Sequence, residues 1–201
     1  PMSAARTVQE LEEVGIAGCH LEDQENPKRC GHLDNKALVS RDEMVRKIRA
    51  AANAKRDPNF LLMARTDARA SEGMEAAIDR AKAYVDAGAD AIFPEAMQGA
   101  AEFEIFRKAI DVPVLANMTE FGKSPLLSAG ELEAIGYNIV IYPVTTLRVA
   151  MGAIGRGLGE IAQTGTQSGL LQEMQTRADL YELIRYEDYN QFDQSVFNFR
   201  I

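Results

Sequence analysis

The segment 19–32, CHLEDQENPKRCGH, contains both cysteines and both histidines of the chain. If it opens as a β-strand, alternation places Cys19 and His20 on opposite faces, where they cannot share a metal ion. A structural zinc site also needs four convergent ligands at a more regular spacing. We therefore interpret Cys19 as a small buried apolar residue. His20 is either a hydrogen-bonded interior histidine or a catalytic one, and position alone does not decide between them.

Cys30 differs from Cys19 because it lies in a loop, NPKRCGH, with Lys28 and Arg29 before it. Neighbouring cations promote the reactive thiolate form of a cysteine, and Gly31 lets the backbone approach a ligand closely. Such a thiol is a candidate acid or nucleophile, and the alternative is an incidental surface cysteine. Because the loop follows a predicted strand that ends in Glu22, we favour the catalytic interpretation.

Charged side chains also follow other predicted strands. Glu22 and Glu95 each come after an apolar run, and carboxylate oxygens suit magnesium or manganese, frequently through water; solvated strand ends are the alternative. Arg65 ends the run FLLMAR, where a guanidinium is costly to bury without an anion. Binding of a carboxylate or phosphate is therefore its favoured role, and Asp67 could orient it.

The pattern of apolar residues predicts one leading helix, Ser3 to Val14, and then five strand-then-helix units. The strands are apolar nearly throughout, which is typical of parallel strands covered on both faces. The predicted strands are IAGCHLED at 16–23, FLLMART at 60–66, DAIFPE at 90–95, VPVLANM at 112–118 and NIVIYP at 138–143, and their helices cover 40–55, 74–87, 99–109, 129–135 and 145–162.

Two parallel architectures compete, the doubly wound sheet and the (β/α)8 TIM-type barrel. No glycine-rich phosphate turn follows an early strand, whereas polar residues follow strand after strand, as in barrel enzymes. We predict an α/β fold in which residues 1–165 supply about five βα units of a barrel. The sheet is then open, or further units precede residue 1; the abrupt helical start favours the second. Residues 166–201 form a C-terminal helical extension that caps the barrel or packs on another subunit.

Composition limits the partners. The 201 residues carry a formal charge of −8 with scattered basic residues, so neither nucleic acid nor an anionic membrane is an expected partner. No run approaches the roughly 18 apolar residues of a membrane span. Two cysteines without a repeated spacing suit a reducing compartment, and we expect a cytoplasmic protein.

Six ordered motifs resemble the isocitrate lyase and phosphoenolpyruvate mutase superfamily along the whole chain. Within it, the KRCGH form and the tail MQTRADLYELIRYEDY are most similar to the members that cleave 2-methylisocitrate. The motifs are LEDQ at 21–24, KRCGH at 28–32, MARTDA at 63–68, FPEA at 93–96, LANMTEFG at 115–122 and YPVTTLR at 142–148.

The resemblance implies magnesium-dependent cleavage (manganese is the alternative) of (2S,3R)-2-methylisocitrate to pyruvate and succinate, in the methylcitrate cycle of propionate catabolism. It also implies a small-molecule tricarboxylate substrate and a helix-swapped homotetramer. By the resemblance, Cys30 is the general acid for the succinate carbanion, and Gly31 donates backbone hydrogen bonds to the substrate. Glu22 would contact the metal through a water molecule. His20 and His32 would shape the site. The other positions that match substrate-contacting residues of the family are Arg65, Glu95, Asn117, Met118, Thr119, Arg148 and Arg177. On the sequence pattern alone, Arg148 and Arg177 also fit solvent-exposed helix faces.

One departure from the family is serious. The family's metal-binding aspartate pair and its serine-glycine loop for the pyruvate carboxylate correspond to positions before residue 1. We therefore expect a polypeptide of only these residues to bind magnesium poorly, to expose a sheet edge and to lack lyase activity.

Rival interpretations stay open. Within the superfamily they are isocitrate lyase, dimethylmalate lyase and oxaloacetate hydrolase, while the phosphonate-forming mutases are disfavoured because their loop lacks the cysteine. In another class, the chain is an inactive fragment that retains only assembly through its C-terminal helices.

Overall fold

A computed structural model describes residues 1–197. Contacts divide the chain into two compact units, Pro1–Thr145 and the part from Thr146 onward. The elements of the first unit are α1 (Met2–Glu13), β1 (Gly18–Glu22), α2 (Arg41–Ala54), β2 (Leu61–Thr66), α3 (Ala68–Ser71), α4 (Met74–Asp86), β3 (Ala91–Pro94), α5 (Ala100–Ala109), β4 (Leu115–Asn117), α6 (Ala129–Ile135) and β5 (Ile139–Ile141). Helix α7 (Thr145–Thr164), a 3-10 helix (Ser168–Glu173), α8 (Arg177–Leu183) and α9 (Tyr186–Phe197) follow.

The predicted alternation of strands and helices is confirmed, and local chemistry explains several boundaries. Ser40 Oγ accepts a hydrogen bond from the Glu43 backbone N–H at 3.2 Å, which begins α2. A reciprocal capping box between Ser128 and Glu131 begins α6, and Gly136, with φ of 99°, ends it. The short helix α3 was not predicted, because four residues offer too little periodicity to identify.

The strands form two parallel sets. The order β1-β2-β3 makes a three-stranded sheet, β4 pairs with β5, and a single parallel bridge joins Ile92 to Val114. β4 is shorter than predicted, since Pro113 lacks the N–H that a central strand would donate. The register aligns Glu22 with Arg65, and Arg65 with Phe93. The carboxyl ends of the first three strands therefore lie at one edge.

The two faces of this sheet pack differently. Cys19 and Leu21 pack against the large core that the helices cover, and burial raises the pKa of the Cys19 thiol. On the opposite face, Met63 and Phe93 belong to a small apolar cluster, and the His20 ring meets the Phe93 ring edge-on at 5.7 Å between centroids. The predicted separation of Cys19 from His20 is therefore confirmed.

The part of the chain after Thr146 is helical up to residue 197, as predicted. Thr176 and Asp179 form a reciprocal capping box at the start of α8, and the Tyr181 and Tyr186 rings stack at 4.5 Å. Residues 198–201 of the predicted extension lie outside the described residues, and the predicted boundary at 165/166 stays a prediction. Among residues 1–197, no helix has the length and apolar character needed to cross a membrane.

Candidate active site

The side chain of Arg65 lies among three carboxylates at the carboxyl ends of β1, β2 and β3. Its Nε atom is 2.9 Å from Asp67 Oδ2 and 3.3 Å from Glu22 Oε2, and its Nη2 atom is 2.9 Å from Glu95 Oε2. The guanidinium also lies 4.8 Å from the centroid of the Phe93 ring. The structure therefore brings Arg65, Glu22 and Glu95 together, and Asp67 hydrogen-bonds Arg65, the residue that the sequence suggested it could orient.

The Glu95 carboxylate is also contacted by Asn117, at the end of the neighbouring strand β4. Its side chain is 1% exposed, and Asn117 Nδ2 lies 3.3 and 3.4 Å from its two carboxylate oxygens. The Thr119 backbone N–H in turn donates to Asn117 Oδ1 at 3.1 Å, and the Met118 side chain is buried. The structure therefore brings the segment 117–119 to the same carboxylate as Arg65.

The KRCGH loop packs onto this cluster through Gly31. A Cβ atom at Gly31 would lie 2.2 Å from Glu95 Cγ and 2.6 Å from Arg65 Nη2, so only glycine permits this approach. The Gln24 side chain clamps the loop by accepting from the Arg29 N–H at 2.8 Å and donating to the Arg29 carbonyl at 2.9 Å. Cys30 is a free, exposed thiol beside this contact, as predicted.

His32 faces Glu95 from the same loop. Its Nδ1 atom accepts a hydrogen bond from the Lys123 backbone N–H at 2.8 Å, so the neutral ring carries its proton on Nε2. The Nε2 atom lies 2.9 Å from Glu95 Oε1, yet it is buried without a partner in hydrogen-bonding geometry. The two atoms therefore lie close together without a well-directed hydrogen bond in this conformation.

Beneath the cluster lies a buried hydrogen-bond network centred on Asp23, the last residue of the predicted strand at 16–23. Asp23 Oδ1 accepts from the Asp67 N–H at 2.9 Å, and Oδ2 accepts from Thr66 Oγ1 at 2.8 Å and from the Tyr84 hydroxyl at 2.9 Å. Arg80 Nη1 lies 3.5 Å from Oδ2. Burial raises the pKa of Asp23, although these bonds and Arg80 oppose the shift. Strand alternation was the available signal, because it places Asp23 on the face opposite Glu22.

Lys36 is a second buried residue that the sequence pattern did not predict at this site. Its Nζ atom donates to the Gly31 carbonyl and lies 3.4 Å from Asp67 Oδ1. Burial by itself would raise the pKa of Asp67, but the hydrogen bond and charge of Arg65, together with Lys36, hold it below its ordinary value. Asp67 is therefore a carboxylate shared between two cations.

Three other predicted site residues are described separately from this cluster. Arg148 and Arg177 belong to the unit after Thr146 and have exposed side chains, so their roles stay predictions. His20 lies beside Phe93. Its pKa is lowered mainly by burial and, to a smaller extent, by the positive charge of Arg65. Within residues 1–197, no group of three or more histidine, cysteine, aspartate or glutamate side chains is arranged to hold a metal ion.

Comparison with known proteins identifies the family of this chain. The family model described as Phosphoenolpyruvate phosphomutase matches residues 1–162. The chain belongs to this family. Among the curated relatives, the probable 2-methylisocitrate lyase 1 of Corynebacterium glutamicum is 66% identical to this chain over 201 residues. These residues are 100% of this chain and 66% of that protein. The 2-methylisocitrate lyase of Halalkalibacterium halodurans is 50% identical over 195 residues, 97% of this chain and 64% of that protein.

Solved structures of other proteins share this fold. Oxaloacetate acetylhydrolase in complex with 3,3-difluorooxalacetate superposes with a TM-score of 0.85 at 38% identity, covering 98% of this chain and 66% of that one. Phosphonopyruvate hydrolase in complex with oxalate and Mg++ gives 0.80 at 27% identity, covering 96% and 67%. These likenesses confirm the predicted barrel class and superfamily. The chain spans slightly less than two thirds of the length of the curated relatives named here.

Proposed function

We propose that the complete protein carrying this chain is a lyase that cleaves (2S,3R)-2-methylisocitrate to pyruvate and succinate. The observation that carries the proposal is the seating of the KRCGH loop, through Gly31, directly on Arg65 and Glu95. Cys30, an exposed thiol, directly precedes Gly31 in the chain, and this position supports a role for it close to Arg65. Relatives at 66% and 50% identity that are named 2-methylisocitrate lyases support the choice of substrate.

The proposed reaction breaks the bond between the carbinol carbon and the adjacent methine carbon of the substrate. The hydroxyl proton is lost to a base, the carbinol carbon becomes the carbonyl of pyruvate, and the electron pair of the broken bond passes to the succinate carbon. Cys30 gives its proton to that carbon as general acid. The thiolate that remains lies in the same loop as His32, whose orientation is fixed by Lys123.

Arg65 supplies the positive charge for the anionic groups of the substrate in this proposal. It is already oriented by Asp67, so little reorganisation is needed when a substrate carboxylate arrives. Of its three carboxylate contacts, Glu22 is the longest at 3.3 Å and the one that a substrate would displace. Asn117, which donates to Glu95, and Thr119, whose backbone N–H donates to Asn117, would fix the substrate's position from the next strand.

Magnesium is part of the proposal, with manganese as the alternative. The carboxylate of Glu22 has suitable chemistry, but it is held by Lys28 at 2.9 Å and by Arg65, and the described residues do not form a complete metal site. We therefore assign Glu22 a role through a bound water and route no step through the metal. The magnesium complex of phosphonopyruvate hydrolase supports the cofactor.

We also propose a cytoplasmic, helix-swapped homotetramer in which Arg148 and Arg177 contact the substrate. The free thiols of Cys19 and Cys30 are consistent with a reducing compartment. Apolar side chains on α8 and α9, including Leu183 and Phe192, are exposed and would be covered in such an assembly.

The test is a substrate panel with the complete protein. We expect turnover of 2-methylisocitrate to exceed that of isocitrate, 2,3-dimethylmalate and oxaloacetate, measured as kcat/KM. A preference for oxaloacetate would instead support the acetylhydrolase function of the relative at 38% identity. The same assay on a polypeptide of only these 201 residues tests the expectation that it lacks activity.

A further inference from the structure

Lys36 is a buried lysine that the proposed chemistry does not use. Its side chain is 2% exposed, and it lies four residues beyond the end of the KRCGH motif. Burying an ammonium group is unfavourable unless partners replace the water that it loses. A lysine in such a position therefore needs polar or charged contacts that stabilise its ammonium group.

Two contacts replace the lost water around the Lys36 ammonium, and they join the loop to the sheet. Lys36 Nζ donates to the Gly31 carbonyl and lies 3.4 Å from Asp67 Oδ1. Asp67 is fixed independently, because its side chain accepts from Arg65 Nε at 2.9 Å and its backbone N–H donates to Asp23 at 2.9 Å. Lys36 is therefore a bridge between loop backbone and an immobile carboxylate.

The other anchors of the loop act on either side of this point. Gln24 binds the backbone of Arg29, while His32 accepts from the Lys123 N–H. His32 also approaches Glu95, at 2.9 Å, but it is the backbone at Gly31 that packs against both Arg65 and Glu95, and Gly31 has no side chain with which to hold itself there. The carbonyl that Lys36 binds belongs to the residue that makes this contact.

We propose that Lys36 is a positioning residue that holds Gly31, and with it Cys30, closed over Arg65 and Glu95. Its catalytic importance rests on the function proposed above, whereas the closure itself does not. Removing the ammonium leaves the Gly31 carbonyl without its charged partner, and the loop is then held only at its flanks. A purely structural lysine would instead stabilise the whole sheet through Asp67.

Hydrogen exchange measured by mass spectrometry on the complete protein separates these roles. In Lys36→Met we expect exchange of the peptide over 26–34 to rise about tenfold, the effect of losing one hydrogen bond to a charged group. Exchange in β2 and α2 should stay at the parent level. The matched control is Lys108→Met, which removes an exposed lysine paired with Glu104 and should change neither.

A second variant and a kinetic readout complete the test. Lys36→Gln keeps a donor but is shorter and uncharged, so we expect loop exchange between that of the parent and Lys36→Met, together with a fall in kcat that exceeds any change in KM. Parent-level loop exchange in both variants would overturn the proposal, and so would a rise of equal size in β2 and α2. If the parent does not turn over 2-methylisocitrate, the proposed function fails, while the exchange data still decide the role of Lys36.

Discussion

Gly31 packs so closely on Glu95 that a Cβ atom at residue 31 would lie 2.2 Å from Glu95 Cγ. Because real Cβ contacts do not occur at that distance, Gly31→Ala should prevent the loop from seating. We expect kcat/KM for 2-methylisocitrate to fall about 100-fold, which is the usual loss of rate when a catalytic group is misplaced. The melting temperature should change little. The matched control is Gly130→Ala in α6, where a Cβ meets nothing within 4 Å; parent-like activity of Gly31→Ala would contradict the closed loop.

Arg65→Lys tests the guanidinium at the centre of the cluster. Lysine is a point charge that cannot contact Asp67 and Glu95 with separate, fixed donors. We expect kcat/KM to fall about 100-fold through lost electrostatic stabilisation. Arg6→Lys, at an exposed pair with Glu10, should behave like the parent; equal kinetics for Arg65→Lys would remove Arg65 from the proposed site.

Glu22→Gln tests the carboxylate assigned to magnesium. We expect chelation by EDTA to abolish turnover of the parent, and the variant to need roughly tenfold more magnesium for half-maximal rate, as for groups that act on a metal indirectly. The concentration of magnesium that gives half-maximal turnover is the measurement. An unchanged magnesium dependence would show that Glu22 is only a partner of Lys28 and Arg65.

Asp23→Asn tests the buried network through the pH dependence of stability. Because burial raises the pKa of Asp23 in the folded state, the folded protein binds its proton more tightly than the unfolded chain. Stability should therefore decline as pH rises from the ordinary value of 3.8 through the raised pKa, and Asp23→Asn should lack this contribution.

The measurement is the difference in melting temperature between parent and Asp23→Asn across that pH range. We also expect the variant to lose roughly 1–3 kcal/mol through mismatched donors at Thr66 and Tyr84. Asp111→Asn, at an exposed position, serves as the control. A pH-independent difference would mean that Asp23 keeps its ordinary titration in the folded protein.

Local sequence patterns were sufficient for much of the fold and for part of the site. Strand alternation separated Cys19 from His20, and the apolar runs placed Arg65, Glu22 and Glu95 at strand ends, where the structure brings them together. These predictions succeed because the carboxyl ends of parallel strands meet at one edge, whatever the details of packing.

The parts that were missed depend on contacts between residues distant in the chain. The Asp23–Tyr84 hydrogen bond joins a strand end to an outer helix, and Lys123 orients His32 from a loop near the end of the first unit. Neither contact has a periodicity or a spacing that a sequence displays. Lys36 was missed because a lysine in a polar loop is ordinarily solvated, and only the folded structure shows that it is buried.

The most direct test of the central claim is product formation by the complete protein and its Cys30→Ala variant, with 2-methylisocitrate and magnesium. The parent should release pyruvate and succinate in equal amounts, and the variant should be slower by roughly 100-fold or more, the usual contribution of a general acid. Failure of the parent to form both products, or a variant as fast as the parent, would contradict this claim.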